Sequence, residues 1–312
     1  MKGSHAGKRN AVIILNGISL RKKLFYHDYL PAISTVFNVD VHETLSKNDA
    51  RILASKAADK CVDVILAAGG DGTVSQVVNG VLKGREKESK LPVLGVVPIG
   101  SGNDFVRGMG LKATVDDTIR AFSAFRPRPI DVGLIEYRTT AGGQGEKNWS
   151  YFINVADIGM GPEVVGKVLS SGRPFGSEVA YYKSILNTFL TYKPMHVTAT
   201  TPEWTWQGKL RTLAVANGKY YGHGLCIAPD AIADDRLFSV FICGNVSVFD
   251  FIMHTSTLKK GKNVVMDEVQ YKTATSIEFS SESPCPIEGD GEILGYLPGR
   301  VSMIERQLYF LI

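Results

Sequence analysis

Residues 63–73, Asp-Val-Ile-Leu-Ala-Ala-Gly-Gly-Asp-Gly-Thr, set an apolar run directly against three glycines gathered around an aspartate. The apolar part has the length and composition of a strand buried on both faces, as in a parallel sheet. A helical pattern follows, with Val74, Val77, Val78, Val81 and Leu82 on one face. The glycines therefore fall between the carboxyl end of a strand and the start of a helix, where an open parallel sheet binds its ligands. Their chemistry suits phosphate. Without Cβ atoms the backbone N–H groups approach a polyphosphate closely, and a helix N-terminus adds positive potential. Thr73 offers a hydroxyl, and Asp71 can hold a divalent cation against the phosphates. Taken alone, the same residues would also make a tight turn with a capping aspartate.

The flanking sequence repeats the alternation. Residues 11–15 (AVIIL) read as a buried strand ending in the turn-prone Asn16-Gly17, and residues 38–42 offer a second strand. Ser46-Lys47-Asn48-Asp49 has the pattern of a capping box, opening a helix that sets Ala50, Leu53, Ala54, Ala57 and Ala58 on one face. Residues 92–98 (PVLGVVP) make another strand and run into Gly100-Ser101-Gly102-Asn103-Asp104, and residues 116–125 close the series as a helix. Apolar strands separated by helices imply a doubly wound parallel sheet covered on both faces.

Past Arg126-Pro127-Arg128-Pro129 the texture changes. β-rich segments at 130–137, 151–155, 195–200, 210–216, 237–243 and 276–279 alternate with Gly, Pro and Asp turns, and helical patterns interrupt at 163–169 and 178–192. This implies a mostly antiparallel β-sandwich. Residues 139–148 (TTAGGQGEKN) are expected as a mobile loop. The fold class expected is thus α/β plus β. A nucleotide-binding domain spans 11–128, with the stretch 296–312 packing back on it, and a β-rich domain spans 129–295. A chain of 312 residues has the length for two cores.

Composition excludes several classes. The net charge is only +4, and Lys2, Lys8 and Arg9 carry part of the excess, so a nucleic-acid binder with a basic stripe is not expected. No apolar run approaches the ~18 residues of a membrane span, and no secretory leader pattern opens the sequence. Cys61, Cys226, Cys243 and Cys285 are scattered without a CxxC pair, which fits a reduced, cytoplasmic protein better than a zinc site or a disulfide frame.

The second glycine loop sharpens the reading. Pro98-Ile99-Gly100-Ser101-Gly102-Asn103-Asp104-Phe105 presents glycines, a hydroxyl and a carboxylate beside a helix start, on the strand next to the first loop. Two such loops at one sheet edge point to one nucleotide with its metal. Neither is a Walker A motif, and the first strand turn carries Asn16-Gly17-Ile18-Ser19 instead of GxGxxG. Gly69–Thr73 followed by PIGSGNDFVR at 98–107 resembles the diacylglycerol kinase catalytic-domain family, found in soluble bacterial lipid kinases and in sphingosine and ceramide kinases. The resemblance extends over FINVADIGMG at 152–161, ANGKYYGHGLCIAPDA at 216–231 and Asp290-Gly291-Glu292.

That resemblance implies an ATP-dependent lipid kinase, cytoplasmic and visiting the inner membrane face, that moves the γ-phosphoryl group to a lipid hydroxyl. ATP would lie in the cleft between the two domains, on Gly69, Gly70, Asp71, Gly72, Thr73, Val74, Ser75 and Ser101. Asn16, with Arg21-Lys22-Lys23 behind it, and the adenine-side Thr44 would complete its site. Mg²⁺ would be held by Asp71 and Asp104, and Glu292 would take the acceptor's proton. Ile232, Asp235 and Leu237 resemble a stretch that binds a second, structural Mg²⁺, where Arg236 replaces a glycine and its guanidinium is able to stand in for the cation. Ser101 replaces the family threonine, Gly17 a proline, and Asp157 and His223 glycines; the last two bear on acceptor identity. The alternatives are an NAD or other small-molecule kinase sharing the GGDGT loop, and a non-catalytic nucleotide- or lipid-binding protein. A homodimer is left open. Lys259-Lys260-Gly261-Lys262 and Arg126/Arg128 each read as a solvated face or as a contact for anionic lipid heads. The Tyr181/Tyr182/Ile185/Leu186/Phe189 stripe reads as core or as the wall of an acyl channel.

Overall fold

A computed structural model describes residues 7–85, 89–143, 145–170 and 178–312, with side chains omitted at 169 and 178–180. The chain divides into two units: residues 1–106, 110–129 and 308–312, and residues 107–109 with 130–307.

In the first unit, β1 (Asn10–Leu15), β2 (Asn38–Glu43), β3 (Val64–Gly69), β4 (Val93–Pro98) and β5 (Arg128–Ile130) join the C-terminal strand Leu308–Leu311 in one sheet. The order is β2-β1-β3-β4, then Leu308–Leu311, then β5. The β1–β2, β1–β3 and β3–β4 pairs and the pairing of β4 with Leu308–Leu311 are parallel. Alternate strand residues face opposite sides. Ile13, Leu15, Leu66 and Val97 pack with Phe25, Tyr29, Ile33 and Phe122 of the helices on one side. Val12, Ile14, Ile65 and Ala67 are equally buried on the other, where the helices Asp49–Asp59 and Asp71–Leu82 contact β1 and β3. These two helices meet at Gly80, where a Cβ would overlap Arg51 and stand 2.9 Å from the Ala54 Cβ.

One local expectation fails. Ser46 does not cap a helix. Asn48 is the N-cap, with φ of 74°, and the helix starts at Asp49. The Asp49 carboxylate instead accepts the N–H groups of Leu45 and Ser46 at 2.7 and 2.8 Å, which fixes the turn one step before the helix.

The second unit is built on antiparallel strands: β6 (Gly133–Arg138), β7 (Lys147–Phe152), β8 (Val155–Gly159), β9 (Met195–Thr200), β10 (Thr205–Leu210) and β11 (Thr212–Ala216). A short ribbon follows, β12 (Tyr220–Tyr221) with β13 (Leu225–Cys226). Then come β14 (Phe238–Cys243), β15 (Val269–Ala274), β16 (Ser276–Ser281), β17 (Pro286–Gly289) and β18 (Glu292–Met303). Eleven of them form one long sheet in the order β10-β9-β16-β18-β17-β8-β11-β14-β15, with β6 on β18 and β7 on β6. It curls around a core that includes Phe152 and Phe238, stacked 5.5 Å apart, with Ile135, Ile277 and Leu297. A second core lies between the sheet and the helices Met160–Ser170, Glu178–Thr191 and Val248–Lys259. Tyr181, Ile185 and Phe189 of the aromatic stripe are buried there as core residues.

Of the stretch 296–312, only Leu308–Ile312 joins the first unit. Residues 292–303 belong to the second, because β18 pairs with β16, β17 and β6 along its length.

Candidate functional site

In the first unit the parallel strands deliver every residue singled out there to one sheet edge. Asn16 follows β1, Thr44 follows β2, Gly69–Gly70 end β3, and Ser101–Asp104 follow β4. The edge is knitted by short bonds. Thr44 Oγ1 accepts Gly17 N–H at 3.1 Å, and Ser19 Oγ donates to Ile99 O at 3.0 Å. Gly100 N–H donates to Gly69 O at 3.1 Å.

The two glycine loops pack backbone on backbone. A Cβ at Gly100 would overlap Gly70, and one at Gly69 would overlap the Thr73 side chain, so neither position accepts a larger residue. At Gly72 a Cβ would meet nothing within 4 Å. Thr73 and Val74 donate their N–H groups back to Gly70 O at 2.9 and 3.2 Å. Asp71 and Gly72 occupy the helix positions whose N–H groups have no intrahelical acceptor. Val74 and Ser75 are buried.

Asp71 does something the sequence did not show. Its Oδ2 accepts Asp104 N–H at 3.1 Å and its Oδ1 accepts Phe105 N–H at 3.0 Å, so one carboxylate caps the short helix Asp104–Gly108 and ties the second loop to the first. Each oxygen keeps a further lone pair for a cation. Asn103, at φ of 55°, donates to Gly100 O at 3.1 Å, and its buried Oδ1 has no partner. Space above Gly72 and an orphan acceptor beside Asp71 and the buried Asp104 fit a polyphosphate accompanied by a cation.

In the second unit the turn before Glu292 is held from two sides. Asp290, at φ of 49°, accepts the N–H groups of Ile153, Asn154 and Val155, each at 3.0 Å. Glu288 Oε2 accepts Gly291 N–H at 2.7 Å. Glu292 then starts β18, half-buried. Behind the turn lies a polar cluster that sequence reasoning did not assemble. Tyr221 Oη is 2.8 Å from Glu288 Oε1 and 3.1 Å from Asp157 Oδ2, and Thr212 donates to Asp157 Oδ1 at 2.7 Å. Both carboxyls are buried. The tyrosine has one proton and two carboxyls to serve, so one carboxyl must itself bring a proton. Burial pushes Glu288 well above the usual carboxyl range, with the nearby Asp157 charge adding to it, and Glu288 keeps the proton. Burial also pushes Asp157 up, to about 7, against the pull of Thr212 and Tyr221. The available signal was a polar residue inside each apolar run, Val-Ala-Asp-Ile and Pro-Ile-Glu-Gly. His223, at φ of 62°, sits in a turn with its ring 4.8 Å from that of Tyr181.

The loop named for a second Mg²⁺ already holds a cation. Arg236, at φ of 64°, points its guanidinium at the fully buried Asp131, with Nε 3.2 Å from Oδ1. Its backbone N–H donates to the other oxygen at 2.6 Å, and Nη1 donates to Ile304 O and Glu305 O. Asp235 Oδ1 accepts Leu237 N–H at 3.0 Å. Among the described residues no three His, Cys, Asp or Glu side chains gather as a metal group. The partner of the Arg236 guanidinium is thus Asp131, and not the adjacent Asp234 or Asp235.

The family model described as diacylglycerol kinase catalytic domain matches residues 10–135, and that described as YegS C-terminal NAD kinase beta sandwich-like domain matches residues 154–312. A Bacillus subtilis protein named diacylglycerol kinase is 28% identical over 276 residues, covering 88% of this chain and 85% of the relative. A Stenotrophomonas maltophilia protein named "Probable lipid kinase YegS-like" is 26% identical over 273 residues, covering 85% of this chain and 86% of the relative. The crystal structure of a diacylglycerol kinase from Bacillus anthracis superposes with a TM-score of 0.69 at 20% identity, over 97% of this chain and 96% of that one, a likeness of fold.

Two outcomes are expected of this geometry. Arg236→Gly removes the half-exposed guanidinium but leaves Asp131 the residue-236 N–H and Gln307 Nε2, 2.7 Å from Oδ1, so it should cost only about 1 kcal/mol of stability. Added Mg²⁺ should raise the melting temperature of wild type and of Asp235→Ala equally. A larger rise in wild type would put a metal on the loop. The second concerns pH. An acid whose folded pKa lies above its unfolded value holds a proton that the unfolded chain releases, so stability falls as pH rises from about 4 to 7. Asp157→Asn should remove Asp157's share, roughly 3 °C of melting temperature per pH unit across that window. An unchanged slope would mean that Asp157 stays ionised in the folded chain.

Proposed function

Since the chain belongs to the diacylglycerol kinase catalytic-domain family, we propose that it transfers the γ-phosphoryl group of ATP to the hydroxyl of a lipid, of diacylglycerol or a related kind. The observation that carries this reading is the meeting of the two glycine loops at one sheet edge, with Asp71 bonded across both. Phosphoryl transfer asks a protein mainly to position its reactants and to neutralise charge.

Mg²⁺ supplies the charge neutralisation that a triphosphate needs. Asp71 and Asp104 are the residues that would hold it. The N–H groups of Asp71 and Gly72 and the Ser101 hydroxyl would bind phosphate oxygens, and Asn16 and Thr44, on the neighbouring strand ends, would contact the nucleoside. Glu292 would accept the proton of the lipid hydroxyl at a carboxylate oxygen. The turn just before it is held by the Glu288–Gly291 bond and by Asp290. Among the described residues no helix is long and apolar enough to cross a membrane, so the reading has the enzyme meet its lipid at the bilayer surface.

Labelled ATP offered with diacylglycerol, phosphatidylglycerol, sphingoid bases and NAD tests the reading. Label in a lipid supports it, label in NAD alone replaces it with a small-molecule kinase, and no transfer at all leaves a binding protein. Asp71→Asn should keep the fold and lower turnover by at least ~10²-fold, the scale of losing one preorganised electrostatic group. Part of the loss should appear as a raised KM for ATP, because the new amide sets an N–H against that of Asp104 or Phe105. A well-folded Asp71→Asn protein of near-normal activity would remove the role. Glu292→Gln should lower kcat and leave ATP binding nearly intact. Weakened ATP binding with kcat unchanged would make Glu292 a binding residue.

A further inference from the structure

The helix Val248–Lys259 is apolar on two sides. Its inner side is accounted for. Phe251 stacks between Phe189 and Tyr182, at 4.6 and 5.9 Å, and Thr255 and Leu258 are buried with it. Its outer side carries Phe249, Ile252 and Met253, which are 69, 48 and 61% exposed. Spacings of three and four residues put all three on one stripe. The stripe ends in cations. Lys259 and Lys260 close the helix and are exposed, Lys262 is exposed just beyond, and Val265 follows at 90% exposure. Lys259 also holds its ammonium 5.8 Å over the Tyr182 ring, at the border between the apolar and the charged parts.

A helix that is apolar all round belongs in a core or against lipid. The sheet and the neighbouring helix cover half of this one. The acids lie mostly away from the lysines: Asp250 is in the Ser247 capping box at the other end of the helix, Glu268 Oε2 accepts Asn245 N–H at 2.9 Å before that end, and Asp230 Oδ2 accepts a bond from Asn263 Nδ2 at 3.3 Å beside Lys262. Asp267 and Glu268 are both exposed. Large apolar side chains flanked by lysines match the depth profile of an anionic bilayer, where the first enter the acyl boundary and the second reach the phosphate level. The three lysines gather at the C-terminal end of the helix, where they complement anionic headgroups.

We propose that the outer face of Val248–Lys259, with Lys260, Lys262 and Val265, docks this protein on an anionic membrane surface. The choice of occupant rests on the lipid-kinase reading. The surface leaves the catalytic groups untouched, and its exposed side chains can be changed without disturbing a core. Docking of this kind is reversible and weakens with salt.

Flotation with vesicles, without nucleotide, tests it. The protein should bind vesicles of phosphatidylcholine with 30% phosphatidylglycerol, a composition chosen for the test, and bind pure phosphatidylcholine far less. A charge contributes roughly fivefold near such a surface, so K259Q/K260Q/K262Q should lose on the order of 10²-fold. F249S/I252S/M253S should lose at least ~10-fold, with melting temperature and oligomeric state unchanged in both. Undiminished vesicle binding in the two variants overturns the proposal. So does binding that is lost only on changing the exposed Ile18 and Leu20 of the first unit, or a dimer of wild type that F249S/I252S/M253S abolishes. Failure of the kinase reading would look different: no acceptor lipid takes label, while vesicle binding and its loss in the variants persist.

Discussion

A carboxylate taken out of water must find donors, and this constraint shapes both units. Asp71 finds them in the N–H groups of Asp104 and Phe105, Asp290 in those of Ile153, Asn154 and Val155, and Asp131 in the N–H and guanidinium of Arg236. Asp71 heads a helix and caps another, while Asp131 and Asp290 sit where the chain leaves regular hydrogen bonding; each takes N–H groups that the regular ladders leave over. The consequence is that the backbone near the candidate site is set by side chains a few residues or many tens of residues away. A carboxylate bond to N–H is charge-assisted and stronger than a neutral one, so these turns hold one shape.

Asp157 and Glu288 show the same constraint with too few donors. Tyr221 cannot satisfy both, and the shortfall is met by keeping a proton on a carboxyl. Such a pair ties the local geometry to proton count, with Gly291 attached to one member of it. Asp131 took the other solution, a fixed positive charge supplied by the chain itself.

Much of the fold was legible because apolar strands and glycine turns are local signals. The run before Gly69 and the loop after Pro98 announce a parallel sheet and its ligand edge without help from the rest of the chain. What escaped was long-range. That Asp71 bonds to residues 33 and 34 positions later is invisible in a pattern of types. The helix Val248–Lys259 was missed although Ser247 and Asp250 carry the capping-box signature, because apolar residues on both its sides erase the period of 3.6 that marks an amphipathic helix. At Ser46 the error ran the other way. The box pattern is present, but Asp49 turns back on Leu45 and Ser46 and the helix begins two residues later. The stretch 296–312 was assigned whole, whereas β18 and the strand Leu308–Leu311 go to different units.

The strand Leu308–Leu311 is inserted between β4 and β5, so the sheet of the first unit contains both its earliest and its last strands. A ribosome releases the chain in order. While the second unit's strands are emerging, β4 has one flank without its neighbour, an apolar edge able to pair wrongly. The unit translated first is therefore among the last to be finished, against the usual rule that N-terminal domains fold as they appear. Whatever shields that edge during synthesis, a chaperone or the speed of the remaining translation, becomes part of how this protein reaches its folded state.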